Sequence, residues 1–445
     1  MSNADKQSAV PEVDTQCKDV ATPVGTLAGA AEPDNIGMTD TRSPAAINRS
    51  WVISLFGTAV GAGILFLPIN AGAGGLWPLL VVTLLIGPMT YFSHRALSRF
   101  VCLSPRPGED ITLVAKDYFG KVGGGLITAL YFLAIYPIVL IYGVSITNTV
   151  DSFIVNQFHG PHIPRALLSL VLITLMMLVM IFGERLMLLV TGAIVYPLIF
   201  LLFAVSLYLI PQWKLGSFTE AHSFGTTLKY IWLIIPVLVF AFNHSPAISQ
   251  FSLAMQRAHG ADAERNASKV LKRTALILVT FTMLFVWSCA LTLGNDGLAK
   301  AREENITVLS YLANVNDSPI ISFVGPVVAI VAIVSSFFGH YLGAAEGAEG
   351  VVASIAPHAN RKAVKTGVTA FLFLTTWLAA ILNPSILGLI ESLSGPVIAA
   401  ILYLMPMYAI YKVPRLEPYR KQLSNIFVIV MGLVAISGIF FTLIR

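Results

Sequence analysis

The chain has 445 residues, of which 56% are hydrophobic and only 11% charged, with a formal net charge of +5. Soluble domains carry about 25% charged residues, so the composition excludes a soluble globular protein and points to many membrane-spanning segments. Three cysteines, Cys17, Cys102 and Cys289, lie too far apart for a metal site or a disulfide framework.

Residues 1–47 are polar and small, with no apolar core at the start. They read as a disordered cytoplasmic tail rather than a signal peptide. Apolar runs of spanning length then fall at about 50–70, 75–93, 122–150, 165–182, 188–210, 226–250, 273–293, 319–345, 366–383, 389–411 and 423–443. The pattern predicts an all-α polytopic membrane protein with about eleven transmembrane helices over residues 48–445. The connections are too short for a soluble catalytic or nucleotide-binding domain. With the N-terminus inside, 22 of the 28 Lys and Arg fall on the inner side. That bias predicts a cytoplasmic N-terminus and an external C-terminus. The basic balance thus reflects topology and not nucleic-acid binding.

The first apolar run contains Gly57 to Pro68, G-T-A-V-G-A-G-I-L-F-L-P. Gly costs about 1 kcal/mol and interior Pro about 3 kcal/mol against Ala in a helix. In lipid a loosened backbone survives only where protein or a watery cavity satisfies its amides. The segment therefore predicts a helix broken near its middle, as in transporter substrate sites. The plainer alternative is close packing through the Gly57-x-x-x-Gly61 pair. A phosphate loop is excluded, because no Lys-Ser or Lys-Thr follows the glycines.

The sixth run carries a second interruption, Phe240-Ala241-Phe242-Asn243-His244-Ser245-Pro246. Pro246 removes a backbone donor and crowds the preceding turn. Breaks in the first and sixth helices, which run in opposite directions, point to a transport site at an inverted-repeat interface. The repeats are expected at about 50–210 and 226–411, with 423–443 as an extra helix.

The motifs GTAVGAGILFLPINAG (57–72), PGEDIT (107–112), YFLAIYPIVLIYGVSITNTV (131–150), FNHSPAIS (242–249), SYLAN (310–314), FGHYLGAAEG (338–347), LNPSILGLIE (382–391) and MPMYAIYKVP (405–414) resemble the hydroxy and aromatic amino acid permease family. The Asn243-His244-Ser245-Pro246 string is similar to its serine/threonine branch. The resemblance runs from about residue 50 to the C-terminus. It implies an inner-membrane amino acid symporter with the five-plus-five inverted-repeat fold of the amino acid–polyamine–organocation superfamily.

A zwitterionic amino acid needs donors for its carboxylate and acceptors for its ammonium. The freed N–H groups of Ala62, Gly63 and Ile64 would face the carboxylate. Carbonyls at Thr58 to Val60 and at Phe240 to Phe242 would take the ammonium. Gly61 and Gly63 would let the ligand approach the backbone. Asn243 and Ser245 would read a hydroxylated side chain. His244 and His340 are the two histidines placed within the membrane, where ionisable groups usually line a path. Phe337, Phe338 and Tyr341, with His340, would form a pocket wall or gate; ordinary aromatic packing is the alternative. Glu391, a few residues into the tenth helix, and Glu346, at the end of the eighth, are carboxylates that would titrate with transport or sit in a solvated vestibule. His159 and His162 lack the Cys or carboxylate partners of a metal site.

No cofactor motif is present, which leaves the coupling ion, H⁺ or Na⁺. Adjacent Ser335 and Ser336 in the eighth helix offer oxygens to Na⁺. The serine/threonine branch usually has Lys where this chain has Ser335, and a lysine ammonium there would replace the metal. The family resemblance favours protons and the serine pair favours Na⁺, with Ser335, Ser336, His244 and Glu391 as candidates. The expected partners are a small-molecule amino acid and membrane lipid, with no nucleic acid; no motif marks an oligomeric state. The function expected is import of serine, threonine or a close analogue by alternating access. The rivals are an aromatic amino acid permease and a channel. An enzyme is disfavoured, since no nucleophile–base pair or metal set stands out.

Overall fold

A computed structural model describes residues 43–444, apart from 107, 110, 182–183, 217 and 219–221. The tail expected at 1–47 lies outside the described residues up to position 42, and 44–47 are already helical. Ser43 caps the first helix by accepting the N–H of Ala46 at 3.3 Å, and Pro44 occupies its first turn.

The elements that position the site are α1 (Pro44–Ala59), α2 (Ala62–Ala71), α3 (Leu76–Cys102), α4 (Ile111–Asn156), α5 (Arg165–Ile181) and α6 (Glu184–Leu209) from the first half. The second half supplies α7 (Phe224–Ala241), α8 (Ser245–His259), α9 (Ala263–Glu303), α10 (Val308–Val315), α11 (Pro319–Ile355), α12 (Arg361–Leu382) and α13 (Ile386–Lys412), followed by α14 (Leu423–Ile444). Among the described residues there are no strands. Among the described residues, eight helical stretches are long and apolar enough to cross a membrane, and the bent pair of α1 with α2, taken as one span, is a ninth. Two shorter apolar helices, Arg165–Ile181 and Leu423–Ile439, stand at the places of the fourth and eleventh expected spans. The chain is thus an all-α, multi-pass membrane protein.

Both expected breaks are present. The axis bends by 58° between Pro44–Ala59 and Ala62–Gly74. The sixth span divides at Phe242 to His244 into α7 and α8. The halves pair in antiparallel fashion, α2 packing on α7 and α1 on α8. Other counterparts also meet: α3 packs on α9, α4 on α11 and α5 on α12. Each half also bends at a left-handed glycine between its second and third spans, Gly120 (φ 73°, ψ −177°) and Gly294 (φ 65°, ψ −179°).

Several helices outrun the apolar windows that announce them. α9 begins ten residues before the expected 273, and α11 runs on to Ile355, so Glu346 lies inside the helix and not at its end. Hydropathy reports the part of a helix that sits in hydrocarbon; backbone hydrogen bonding carries it on into water. α13 contains two π-helical turns, Ile390–Ser394 and Ala400–Leu404. Such turns often mark functional positions.

Candidate functional site

The first break forms at Val60 and Gly61. The Val60 N–H closes α1 on Phe56 O at 2.9 Å, and Gly61 is extended. α2 then starts with the N–H groups of Ala62 and Gly63 at its N-terminus, where a helix has no internal acceptors. The N–H of Ile64 is tied to Gly61 O at 3.1 Å. Thr58 donates its hydroxyl proton back to Ser54 O at 2.9 Å, so it has acceptors alone to offer a ligand.

The glycines allow protein to approach the backbone here. A Cβ on Gly61 would collide with Ser336 Oγ and lie 2.5 Å from Ser336 Cβ. On Gly63 it would lie 2.9 Å from both Ala241 Cα and the Phe240 ring. The close neighbours of these two glycines are therefore α11 and α7. Gly57, expected to serve packing, faces Val195, with its Cβ position 2.7 Å from a Val195 methyl.

The second break is organised by side chains. Asn243 Oδ1 accepts the N–H of Ser245 at 3.0 Å and so caps α8. Asn243 Nδ2 is buried and has no hydrogen-bond partner among the described residues. The His244 ring donates from Nδ1 to Phe242 O at 3.1 Å. Phe240, Phe242, Asn243, His244 and Ser245 are all buried.

One histidine was missed. His244 and His340 are not alone inside the helical bundle, because His94 of α3 is 1% exposed and stands against the second break. Its Nε2 accepts the backbone N–H of His244 at 3.2 Å. Its Nδ1 faces Thr90 O at 2.8 Å. The two rings stack with centroids 3.5 Å apart. The apolar window closes at residue 93 and places His94 beside the inner loop. The helix in fact continues to Cys102 and carries the imidazole into the core.

On α11, Ser336 joins the first break to a polar cluster. Its hydroxyl meets the Tyr142 hydroxyl at 2.7 Å, and its carbonyl accepts from His340 Nδ1 at 2.9 Å. Tyr142, buried on α4, was not singled out from sequence, since a lone Tyr in an apolar run gives no signal. Ser335 donates to Ala332 O at 3.1 Å within its own helix. Phe337, Phe338 and Tyr341 are buried together, but the Tyr341 hydroxyl turns to Thr369 of α12 at 3.2 Å. Of this expected wall, His340 is the member tied to the break through Ser336 and Tyr142.

Glu391 is held away from both breaks. Nη2 of Arg302 on α9 bonds both oxygens of the Glu391 carboxylate at 2.8 Å, and Asn70 Nδ2 donates to one of them at 2.7 Å. The expected alternatives for Glu391 were a titrating group or a solvated charge; the structure places it in a clamp joining α2, α9 and α13. His162 pairs with Asp151 at 3.1 Å. Among the described residues no group of three His, Cys, Asp or Glu could hold a metal.

Comparison with known proteins agrees with this architecture. The chain is 48% identical to the serine transporter SdaC of Escherichia coli K12 over 425 residues, which is 93% of this chain and 99% of that protein. It is 39% identical to the threonine/serine transporter TdcC of Edwardsiella tarda over 444 residues, 94% of this chain and 98% of that protein. The crystal structure of MhsT in complex with L-phenylalanine shares the fold, with a TM-score of 0.53 at 13% identity, covering 88% of this chain and 97% of that one. The model of the tryptophan/tyrosine permease family matches residues 46–444. The chain belongs to that family.

Proposed function

We propose that the protein is a secondary active transporter that imports serine, threonine or a close analogue across the bacterial inner membrane, with its N-terminus cytoplasmic and its C-terminus outside. The observation that carries this reading is Asn243 Nδ2, a buried donor at the sixth-helix break with no partner among the described residues. A buried donor without an acceptor costs about 1–3 kcal/mol, and a substrate oxygen would remove that cost. The N-terminus of α2 favours the substrate carboxylate, and the last carbonyls of α1 and α7 favour its ammonium. Phe240, Phe242, Asn243, His244 and Ser245 at the second break are buried, so a substrate reaches them only when helices part, as alternating access requires. A channel gives no reason for such a seal.

Two relatives named for serine and threonine support a small hydroxylated substrate; the family's description keeps the aromatic rival in view. Uptake of labelled serine, competed by excess serine, threonine or tryptophan, separates the two. Inhibition by tryptophan alone would favour the aromatic reading.

For the coupling ion, two arrangements compete. Ser336 at the first break supports Na⁺, a hard cation that takes oxygen ligands. The buried His94–His244 pair at the second break supports H⁺, which we favour. Concentrative uptake in proteoliposomes should persist when choline replaces Na⁺ and collapse with a protonophore. The opposite pattern would select Na⁺ and make Ser336 its first test.

A further inference from the structure

Arg49, Lys269 and Arg273 converge on one pocket. Its volume is about 320 Å³, and it is lined by Ala45, Asn48 and Arg49 of α1 and by Asn266, Lys269, Val270 and Arg273 of α9. Among the described residues the lining holds three cations, two amides and no carboxylate. Among the described residues none of the three cations has an ion-pair partner. The carboxylate of Glu264, one turn before Lys269, is taken by Arg99 at 2.6 Å. Asn48 is itself fixed by His259 Nε2 at 2.9 Å.

The depth of the pocket is set by the sequence. Arg49 is the last cation before the apolar run at about 50–70, and Arg273 stands at the start of the run at about 273–293 with no further Lys or Arg inside it. Both apolar runs enter hydrocarbon just beyond these residues. The pocket therefore lies at headgroup level, on the face where most Lys and Arg gather. Arginine forks and a lysine point charge suit phosphate oxygens. The N-terminus of α1, capped at Ser43, adds a favourable dipole. Basic pockets between spanning helices on the positive side are suited to acidic headgroups.

We propose that this pocket binds the phosphate headgroup of an anionic phospholipid, with Arg49, Lys269 and Arg273 as its ligands. The bound headgroup bridges α1, the first half of the broken helix, to α9. Because α1 is set off from α2 by the 58° bend at Gly61, such a bridge restrains the half-helix that must move if the break is to open. Binding does not depend on the transport reading and is measured without transport.

The test uses the purified full chain titrated with phosphatidylglycerol, phosphatidylcholine or inorganic phosphate, with bound ligand counted by native mass spectrometry. Phosphatidylglycerol should bind in preference to phosphatidylcholine. The triple variant Arg49→Gln, Lys269→Gln, Arg273→Gln should bind it about 100-fold more weakly, at roughly fivefold per cation. Lys269→Gln alone, which leaves most of the surface intact, should lose about fivefold. Equal binding of the two lipids, or unchanged phosphatidylglycerol binding by both variants, would overturn the proposal. Inorganic phosphate that displaces phosphatidylglycerol at equal concentration would assign the pocket to a free anion instead. A phosphatidylglycerol count that rises only after residues 1–42 are removed would show that the chain's own tail fills the pocket, which also overturns it.

Discussion

His94 and His244 share one hydrogen bond and one stacking face: the backbone N–H of His244 points at Nε2 of His94 across 3.2 Å, and the ring planes lie 7° from parallel. Thr90 O, at 2.8 Å from the other nitrogen, can only accept, so His94 carries its proton on Nδ1 and offers a lone pair to the broken backbone. A second proton on His94 would occupy Nε2. It would expel the His244 N–H and set a cation beside a stacked imidazole and the N-terminus of α8. Among the described residues the titratable group facing His94 is His244, just before α8; Tyr403 of α13 bonds the neighbouring Ser93. Arg95 and Arg99 on the same helix are turned to Ser424 and Glu264.

His94→Gln is therefore expected to separate exchange from accumulation. A glutamine oxygen can accept the His244 N–H but cannot take up a proton. Serine–serine exchange in proteoliposomes should continue, while uptake driven by an inward proton gradient should fall at least tenfold. His94→Leu leaves a buried N–H unpaired and should cost about 1–3 kcal/mol of stability. Proton-driven accumulation that survives in His94→Gln would remove His94 from coupling.

Gly61→Ala should fail because the added methyl meets Ser336. The clash includes Ser336 Cβ at 2.5 Å, so rotating the hydroxyl away does not relieve it. Ser336→Gly in the same chain should restore a measurable part of the lost thermal stability, whereas Ser336→Ala should restore little. A double-mutant cycle by thermal unfolding reads the coupling, expected at about 0.5–3 kcal/mol for residues in contact. Additive effects would place the cost of Gly61→Ala elsewhere.

Asn243 has two functions that substitution can divide. Oδ1 caps α8 at Ser245, and Nδ2 is the free donor. Asn243→Asp keeps the capping oxygen and removes the donor. It should weaken serine binding by about 2- to 10-fold, the worth of one hydrogen bond, with glycine affected less. Asn243→Ala loses both and should also lower the melting temperature. Equal losses for serine and glycine would make Asn243 a capping residue only.

The clamp at Glu391 should govern opening on its own side of the bundle. Arg302 is 40% exposed and Glu391 20%, so the ion pair contributes no more than about 1 kcal/mol. Glu391→Gln should leave the fold intact but weaken the tie between α13, α9 and Asn70 of α2. Accessibility of a cysteine placed at buried Ala71 to a hydrophilic thiol reagent should rise in Glu391→Gln, and the charge-reversed pair Arg302→Glu with Glu391→Arg should restore protection. Unchanged accessibility would show that the clamp does not restrain α2.

Hydropathy and two clusters of helix-breaking residues, Gly57–Pro68 and Phe240–Pro246, are local properties. They were enough to place the helices to within a few residues at most ends, to locate both breaks, and to carry the resemblance that the family match bears out. They were enough because lipid leaves a backbone few options: it is helical, or it is interrupted where protein shelters it. What faces each break is a different kind of fact. Ser336 against Gly61 and His94 against His244 join residues 275 and 150 positions apart. Only the packing of α11 on the first break and of α3 on the second brings them together. The same holds for Glu391, which reads from sequence as a lone carboxylate and becomes a clamp once α9 delivers Arg302 and α2 delivers Asn70. Periodicity along one helix cannot report which neighbour fills the space left by a missing side chain; the crossing of helices decides that.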